Sequence, residues 1–116
     1  MNVIKARKKY DVQYPNLYAP SGHKHAKEFN SVQRAHQNTL ESMSTVLTQM
    51  LIVGLWHPKF AAACGAIWQV GRIVYGLGYA LGPDYRKPGG LLSHVGDLPL
   101  QVATFKVAYD AYVTWQ

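Results

Sequence analysis

The sequence predicts an all-α protein, a transmembrane helical bundle built on about three long helices. Three observations carry this expectation. Phe60 to Gly82 is a run of 23 residues with a single charge, Arg72, and ~20 apolar residues suffice to cross a bilayer core. Ser42 to Trp56 is a second run, uncharged over 15 residues, and His57-Pro58 divides the two. The basic residues are gathered at one end: Lys5, Arg7, Lys8, Lys9, Lys24 and Lys27 all precede position 28, against Asp11 alone over the first 27. That asymmetry is the mark of a cytoplasmic segment beside a membrane span.

Residues 1–28 carry Pro15, Pro20 and Gly22 and no sustained apolar periodicity. They read as a short helix through Lys5 to Asp11, then a loop reaching His23-Lys24-His25. The His-x-His pair can hold a metal, but without Cys or further His nearby it reads as two solvated side chains, and no metal site is expected. The first long helix is placed at 29–56, roughly 40 Å at 1.5 Å per residue. Pro58 is tolerated in the first turn of the next helix, and Trp56 and Phe60 flank the turn as interfacial aromatics do. The second long helix, 60–82, is rich in small residues, including Gly78 and Gly82 at GxxxG spacing, which lets membrane helices approach closely. A loop over 83–90 follows, and a further helix over 91–115 is expected to be interrupted by Asp97, Pro99, Lys106 and Asp110.

At 116 residues with 48% hydrophobic content the chain is one domain. The net charge of +6 admits nucleic acid as a partner in principle, but no aromatic-interleaved or DNA-reading pattern accompanies it, and none is expected. A bilayer is the expected partner. Cys64 is the one cysteine, so no intrachain disulfide forms, and its small neighbours mark it as a packing residue. The opening Met1-Asn2-Val3-Ile4-Lys5 has no apolar h-region.

On helix 29–56, Arg34, Asn38 and Glu41 stand at i, i+4 and i+7 and share one face. A cation, an amide and a carboxylate thus line up where the helix turns apolar, and charges at a membrane boundary are costly and usually functional. Arg72, Tyr75 and Tyr79 share a face of the next helix at i, i+3 and i+7. In an antiparallel hairpin around His57-Pro58, positions summing to about 115 lie level. Glu41 then meets Tyr75, and Asn38 meets Gly78 and Tyr79, with Arg86 and Lys87 closing the mouth. Such a site suits a small, multiply charged ligand, with arginines gripping carboxylates and Glu41 holding an ammonium. The competing reading is a bundle interior whose polar groups satisfy one another.

Lys5-Ala6-Arg7-Lys8-Lys9-Tyr10, Tyr14-Pro15-Asn16-Leu17-Tyr18, Gln33 to Glu41, His57-Pro58 and Gly71-Arg72-Ile73-Val74-Tyr75 with Gly78-Tyr79 strongly resemble the MAPEG family of membrane enzymes. The resemblance covers residues 2 to about 90. It implies a four-helix transmembrane protomer, a homotrimer, and glutathione bound between subunits near the cytosolic face as the co-substrate of a lipophilic second substrate. It implies glutathione contacts from Arg34, His36, Asn38 and Glu41, from Arg72, Tyr75 and Tyr79, and from Arg7 and Lys8 below the site. Arg86 falls where the family's thiol-activating arginine lies, with Lys87 and Tyr79 as reserve candidates. The implied activity is glutathione transfer or peroxidase chemistry on lipophilic electrophiles and lipid hydroperoxides. The implied location is the endoplasmic reticulum or the outer mitochondrial membrane. Three departures are expected to matter. The chain opens at the basic motif that normally follows the family's first transmembrane helix, so that helix is expected to be missing. Ser42 stands where related enzymes can carry an aromatic, and the last helix is more polar than the family norm. A non-catalytic lipid-binding or scaffold protein of the same fold is the alternative.

Overall fold

The computed structural model describes residues 3–116, and the described residues form four α helices and one 3-10 turn with no strand. The helices are α1 (Val3–Tyr10), α2 (Ala26–Gly54), α3 (Pro58–Leu81) and α4 (Lys87–Thr114), with the 3-10 turn Pro83–Arg86 before α4. The chain is elongated along its three long helices, 60 × 27 × 18 Å overall.

The basic N-terminal segment is tied down rather than loose. Ala6 and Val12 pack on Phe29 and Val32 of α2 in a small core. Arg7 is buried among them, and its Nη1 donates to the carbonyls of Val12 (3.2 Å) and Asn16 (2.8 Å). Its planar head lies 4.2 Å from the centre of the Tyr14 ring, within cation–π range. The Ala19 N–H donates to the Asn30 side chain at 2.8 Å, fixing the far end of the loop to α2.

Helix α2 begins three residues before the expected Phe29 and stops at Gly54 rather than Trp56. The His57 N–H donates back to Val53 at 2.7 Å, closing α2, and Pro58 then opens α3 where its missing N–H costs nothing. Val46 and Val53 pack against Ala61, Cys64 and Trp68 of α3 and Leu100 of α4 as the main core.

The tightest seam joins α3 and α4. Cys64, Gly71 and Gly78 repeat every seven residues on α3, and Gly89, Gly96 and Ala103 do so on α4. A Cβ on Gly71 would meet the backbone of Ser93, one on Gly89 the backbone of Tyr75, and one on Gly96 the backbone of Cys64 and Trp68. The helices touch main chain to main chain, as small residues permit in membrane bundles. The expected pair Gly78 and Gly82 does not act together. Gly78 takes the carbonyl of Tyr85 against it, and Gly82 lies past the end of α3.

Two further expectations differ. The loop over 83–90 is instead the 3-10 turn running directly into α4 at Lys87. The expected interruption at Asp97 and Pro99 is absent, because α4 continues through Pro99. Proline removes one backbone donor and strains one turn, and the packed α3 face holds the helix across it.

Large apolar side chains remain exposed along all three long helices, Leu51, Leu77 and Phe105 among them. Among the described residues only α3 is by itself long and apolar enough to cross a membrane.

Candidate functional site

The polar faces of α2 and α3 meet at Arg72. Its stem is buried, and its head donates to Thr39 Oγ1 from Nε (3.1 Å) and Nη2 (2.8 Å), and from Nη2 to Asn38 Oδ1 (3.0 Å). The guanidinium also lies 4.2 Å from the Tyr75 ring centre. Near the hairpin turn the helices follow the expected register, with Gly54 facing Ala61 and Met50 packed on Gly65. In that register Arg72 would face Met43. Its head instead reaches Asn38 and Thr39, about one turn nearer the polar end of α2, as a long stem allows.

A second polar knot lies one to two turns further along. Tyr79 is buried, and its ring stands edge-on to Tyr75 at 5.5 Å. Its hydroxyl accepts a 2.8 Å hydrogen bond from Arg86 Nη1, and the Arg86 head lies 5.0 Å from the Tyr79 ring. The 3-10 turn places Arg86 here by folding back over Gly78. Lys87, one residue on, points elsewhere and pairs with Asp84 at 3.7 Å on the open surface, where such a pair contributes little.

Between these knots opens a cavity of about 600 Å³, walled by Asn38, Arg72, Tyr75, Arg86, Lys87 and Asp97 among others. That volume suits a small-molecule site, typically ~300–1,000 Å³. Two guanidiniums, those of Arg72 and Arg86, face one acid while the Lys87 ammonium turns to Asp84 at the rim, so the cavity favours an anion. Asp97 and its neighbour His94, with Nδ1 3.2 Å from both carboxylate oxygens, form the acidic wall. A smaller cavity of about 240 Å³ lies on the other side of Arg72, where His36, Thr39 and Gln69 meet apolar Ile73 and Leu77.

The site residues expected from the sequence thus divide. Asn38, Arg72, Tyr75, Arg86 and Lys87 share the larger cavity. Tyr79 joins them through Arg86, and His36 lies across Arg72 in the smaller one. Arg34 is exposed and lies beside Tyr18. Glu41 is exposed and lines neither cavity. Lys8 is exposed on α1, and Arg7 spends Nη1 on loop carbonyls.

Sequence reasoning missed Thr39, Trp68, His94 and Asp97. Thr39 was hidden inside the Gln33–Glu41 motif. For Asp97 a signal existed, since an acid in an otherwise apolar helix marks a functional position before it marks a break. Among the described residues no three His, Cys, Asp or Glu side chains converge on one point.

The family model for the MAPEG family matches residues 1–106. An uncharacterised protein of Synechocystis sp. is 34% identical over 103 residues, covering 88% of this chain and 71% of the relative. The residues matched by the family model include those of the Arg72 and Arg86 knots and of the α3–α4 seam. The chain therefore belongs to the MAPEG family, membrane-associated proteins of glutathione and eicosanoid metabolism.

Proposed function

We propose that the chain binds glutathione in the larger cavity and activates its thiol toward lipophilic electrophiles or lipid hydroperoxides. The observation that carries this reading is the charge pattern of that cavity: Arg72 and Arg86 against Asp97. Glutathione brings two carboxylates and one ammonium, and the wall offers partners for all three. The Arg72 guanidinium keeps Nη1 unused among the described residues and can take a carboxylate. Asp97 takes the ammonium, a role the sequence had suggested for Glu41.

Arg86 is the proposed activator. A thiol of pKa ~8.5 is mostly protonated at neutral pH, and a nearby guanidinium favours the thiolate. Because Tyr79 accepts from Arg86, its own hydroxyl hydrogen is available to the sulfur, so the two act as one unit. Lys87 stays in reserve. Within the family the motifs are similar to microsomal glutathione S-transferase 3. With that likeness come a homotrimer and an endoplasmic reticulum or outer mitochondrial membrane location, as further parts of the proposal.

The alternative, a non-catalytic lipid-binding or scaffold role, draws on one observation: Asn38 and Thr39 already satisfy much of Arg72. Calorimetric titration of glutathione into the chain in lipid nanodiscs, followed by thiolate absorbance against pH, separates the two. Binding that raises thiolate absorbance at pH 7 supports the transferase reading. A folded chain giving no heat of binding overturns it and leaves the scaffold reading.

A further inference from the structure

We infer that the outer face of α1 binds acidic phospholipid headgroups in the leaflet at the chain's N-terminal end. Within α1, Val3, Ala6, Arg7 and Tyr10 stand at i, i+3, i+4 and i+7. Val3, Ala6 and Tyr10 pack with Val12, Phe29 and Val32, and Arg7 is buried on the same side. Lys5, Lys8 and Lys9 share the opposite face, and all three are exposed. Among the described residues none of them pairs with a carboxylate. The two acids at this end are engaged elsewhere: Asp11 accepts from Gln13 Nε2 at 2.7 Å, and Glu28 stands 4.0 Å from His25. The Lys9 ammonium lies 5.1 Å from the Tyr10 ring centre, a contact that leaves its charge without a counterion.

The level of this face selects the partner. Helix α3 has 24 residues, about 36 Å at 1.5 Å per residue. The hydrocarbon core is ~30 Å thick, so the ends of α3 reach the headgroup layers. At its C-terminal end, Leu81 and Gly82 share a cavity of about 260 Å³ with Lys27 and Ser31 of α2. Helix α1 packs on α2 at Phe29 and Val32, within a turn of those two residues. It therefore lies level with the lipid phosphates, and the bonds from Arg7 to the Val12 and Asn16 carbonyls pin it there.

A membrane fits this segment better than a soluble polyanion does. The same segment exposes Ile4, Tyr14 and Leu17. A nucleic acid backbone or an acidic peptide offers these apolar side chains little, whereas a headgroup layer takes cations and apolar groups together. Each cation at an acidic surface enriches the lipid roughly fivefold, and exposed Lys24 and Lys27 add to the field. The inference is independent of glutathione: Lys8, which the family resemblance assigned to that ligand, lines neither cavity at Arg72.

The test is lipid-specific quenching of the full chain in phosphatidylcholine vesicles. A maleimide fluorophore on Leu17→Cys reports on the α1 end, and one on Leu55→Cys reports on the opposite rim. Both leucines are exposed, while Cys64 is buried and stays in place. The vesicles carry an equal small fraction of phosphatidylserine or phosphatidylcholine with a nitroxide high on the acyl chain. We expect phosphatidylserine to quench the Leu17→Cys label at least about threefold more than phosphatidylcholine does. The ratio at Leu55→Cys should be less than half as large. Lys5→Gln, Lys8→Gln and Lys9→Gln together should bring the first ratio down to the second. Salt at about 1 M, where the screening length is ~3 Å, should do the same. The salt arm leaves α1 unaltered, so it does not depend on how the triple variant folds. Equal quenching by the two lipids at Leu17→Cys overturns the inference and turns the face toward a soluble polyanion. A ratio that survives the triple variant with unchanged helical circular dichroism, or that survives the salt, overturns it as well.

Discussion

Two glycines make opposite predictions for the same substitution. At Gly96 a Cβ would stand 2.5 Å from the Cys64 carbonyl and 2.6 Å from the Trp68 nitrogen, both main-chain atoms. Relief to an ordinary contact near ~3.5 Å requires α3 and α4 to part by about 1 Å. Alanine gains ~1 kcal/mol over glycine from helix propensity, while overpacking of a close contact costs ~1–3 kcal/mol. A backbone neighbour cannot swing aside, so the upper part of that range applies. Gly96→Ala should therefore lose about 1–2 kcal/mol net. At Gly76, also mid-helix, a Cβ meets nothing within 4 Å, and Gly76→Ala should gain up to ~1 kcal/mol. Thermal unfolding of both variants in the same detergent, followed by helical circular dichroism, reads the two signs. If Gly96→Ala melts at or above the parent temperature, the main-chain contact between α3 and α4 is wrong.

The site yields three further predictions. Arg86→Ala and Tyr79→Phe should each move the pH–rate profile of thiol chemistry to higher pH. Because the two groups share one hydrogen bond, the double variant should show a coupling of ~0.5–3 kcal/mol rather than additive losses. Asp97→Asn should weaken glutathione binding by calorimetry more than Glu41→Gln does, since Asp97 alone of the two lines the cavity. Arg7→Ala frees the carbonyls of Val12 and Asn16, so limited proteolysis between residues 13 and 24 should accelerate severalfold.

The α2–α3 hairpin was legible because its signals are local. A proline, a break between two uncharged runs and a polar face at helical spacing all lie within one window of sequence. The α3–α4 seam was not, because its small residues repeat at seven and only their mutual facing gives them meaning. Gly78 and Gly82 offered a shorter, better-known spacing that the fold does not use. The same difference divides the site. Arg72, Tyr75 and Arg86 could be gathered from one helix and the turn after it. Asp97 reaches them only through the packing of Gly96 on Cys64 and Trp68, which brings α4 alongside. Glu41 shares a face with Arg34 and Asn38, yet a shared face sets direction only and leaves open what stands opposite.

Arg72 also bears on how the chain enters its membrane. Taken alone, α3 would carry a guanidinium near mid-helix into the hydrocarbon, at a cost of ~2.5–3.5 kcal/mol by insertion scales. That charge finds its hydrogen-bond acceptors on α2, at Asn38 and Thr39. Helix α2 in turn is too polar to cross by itself. Neither segment is a good solitary client of an insertion machinery, while the pair, joined by the short turn at 55–57, presents a neutralised inner side and a greasy outer one. The two helices are thus suited to leave the translocation channel together as a preformed hairpin. Biogenesis of this chain would then be sensitive to Arg72, Asn38 and Thr39 before any ligand has been met.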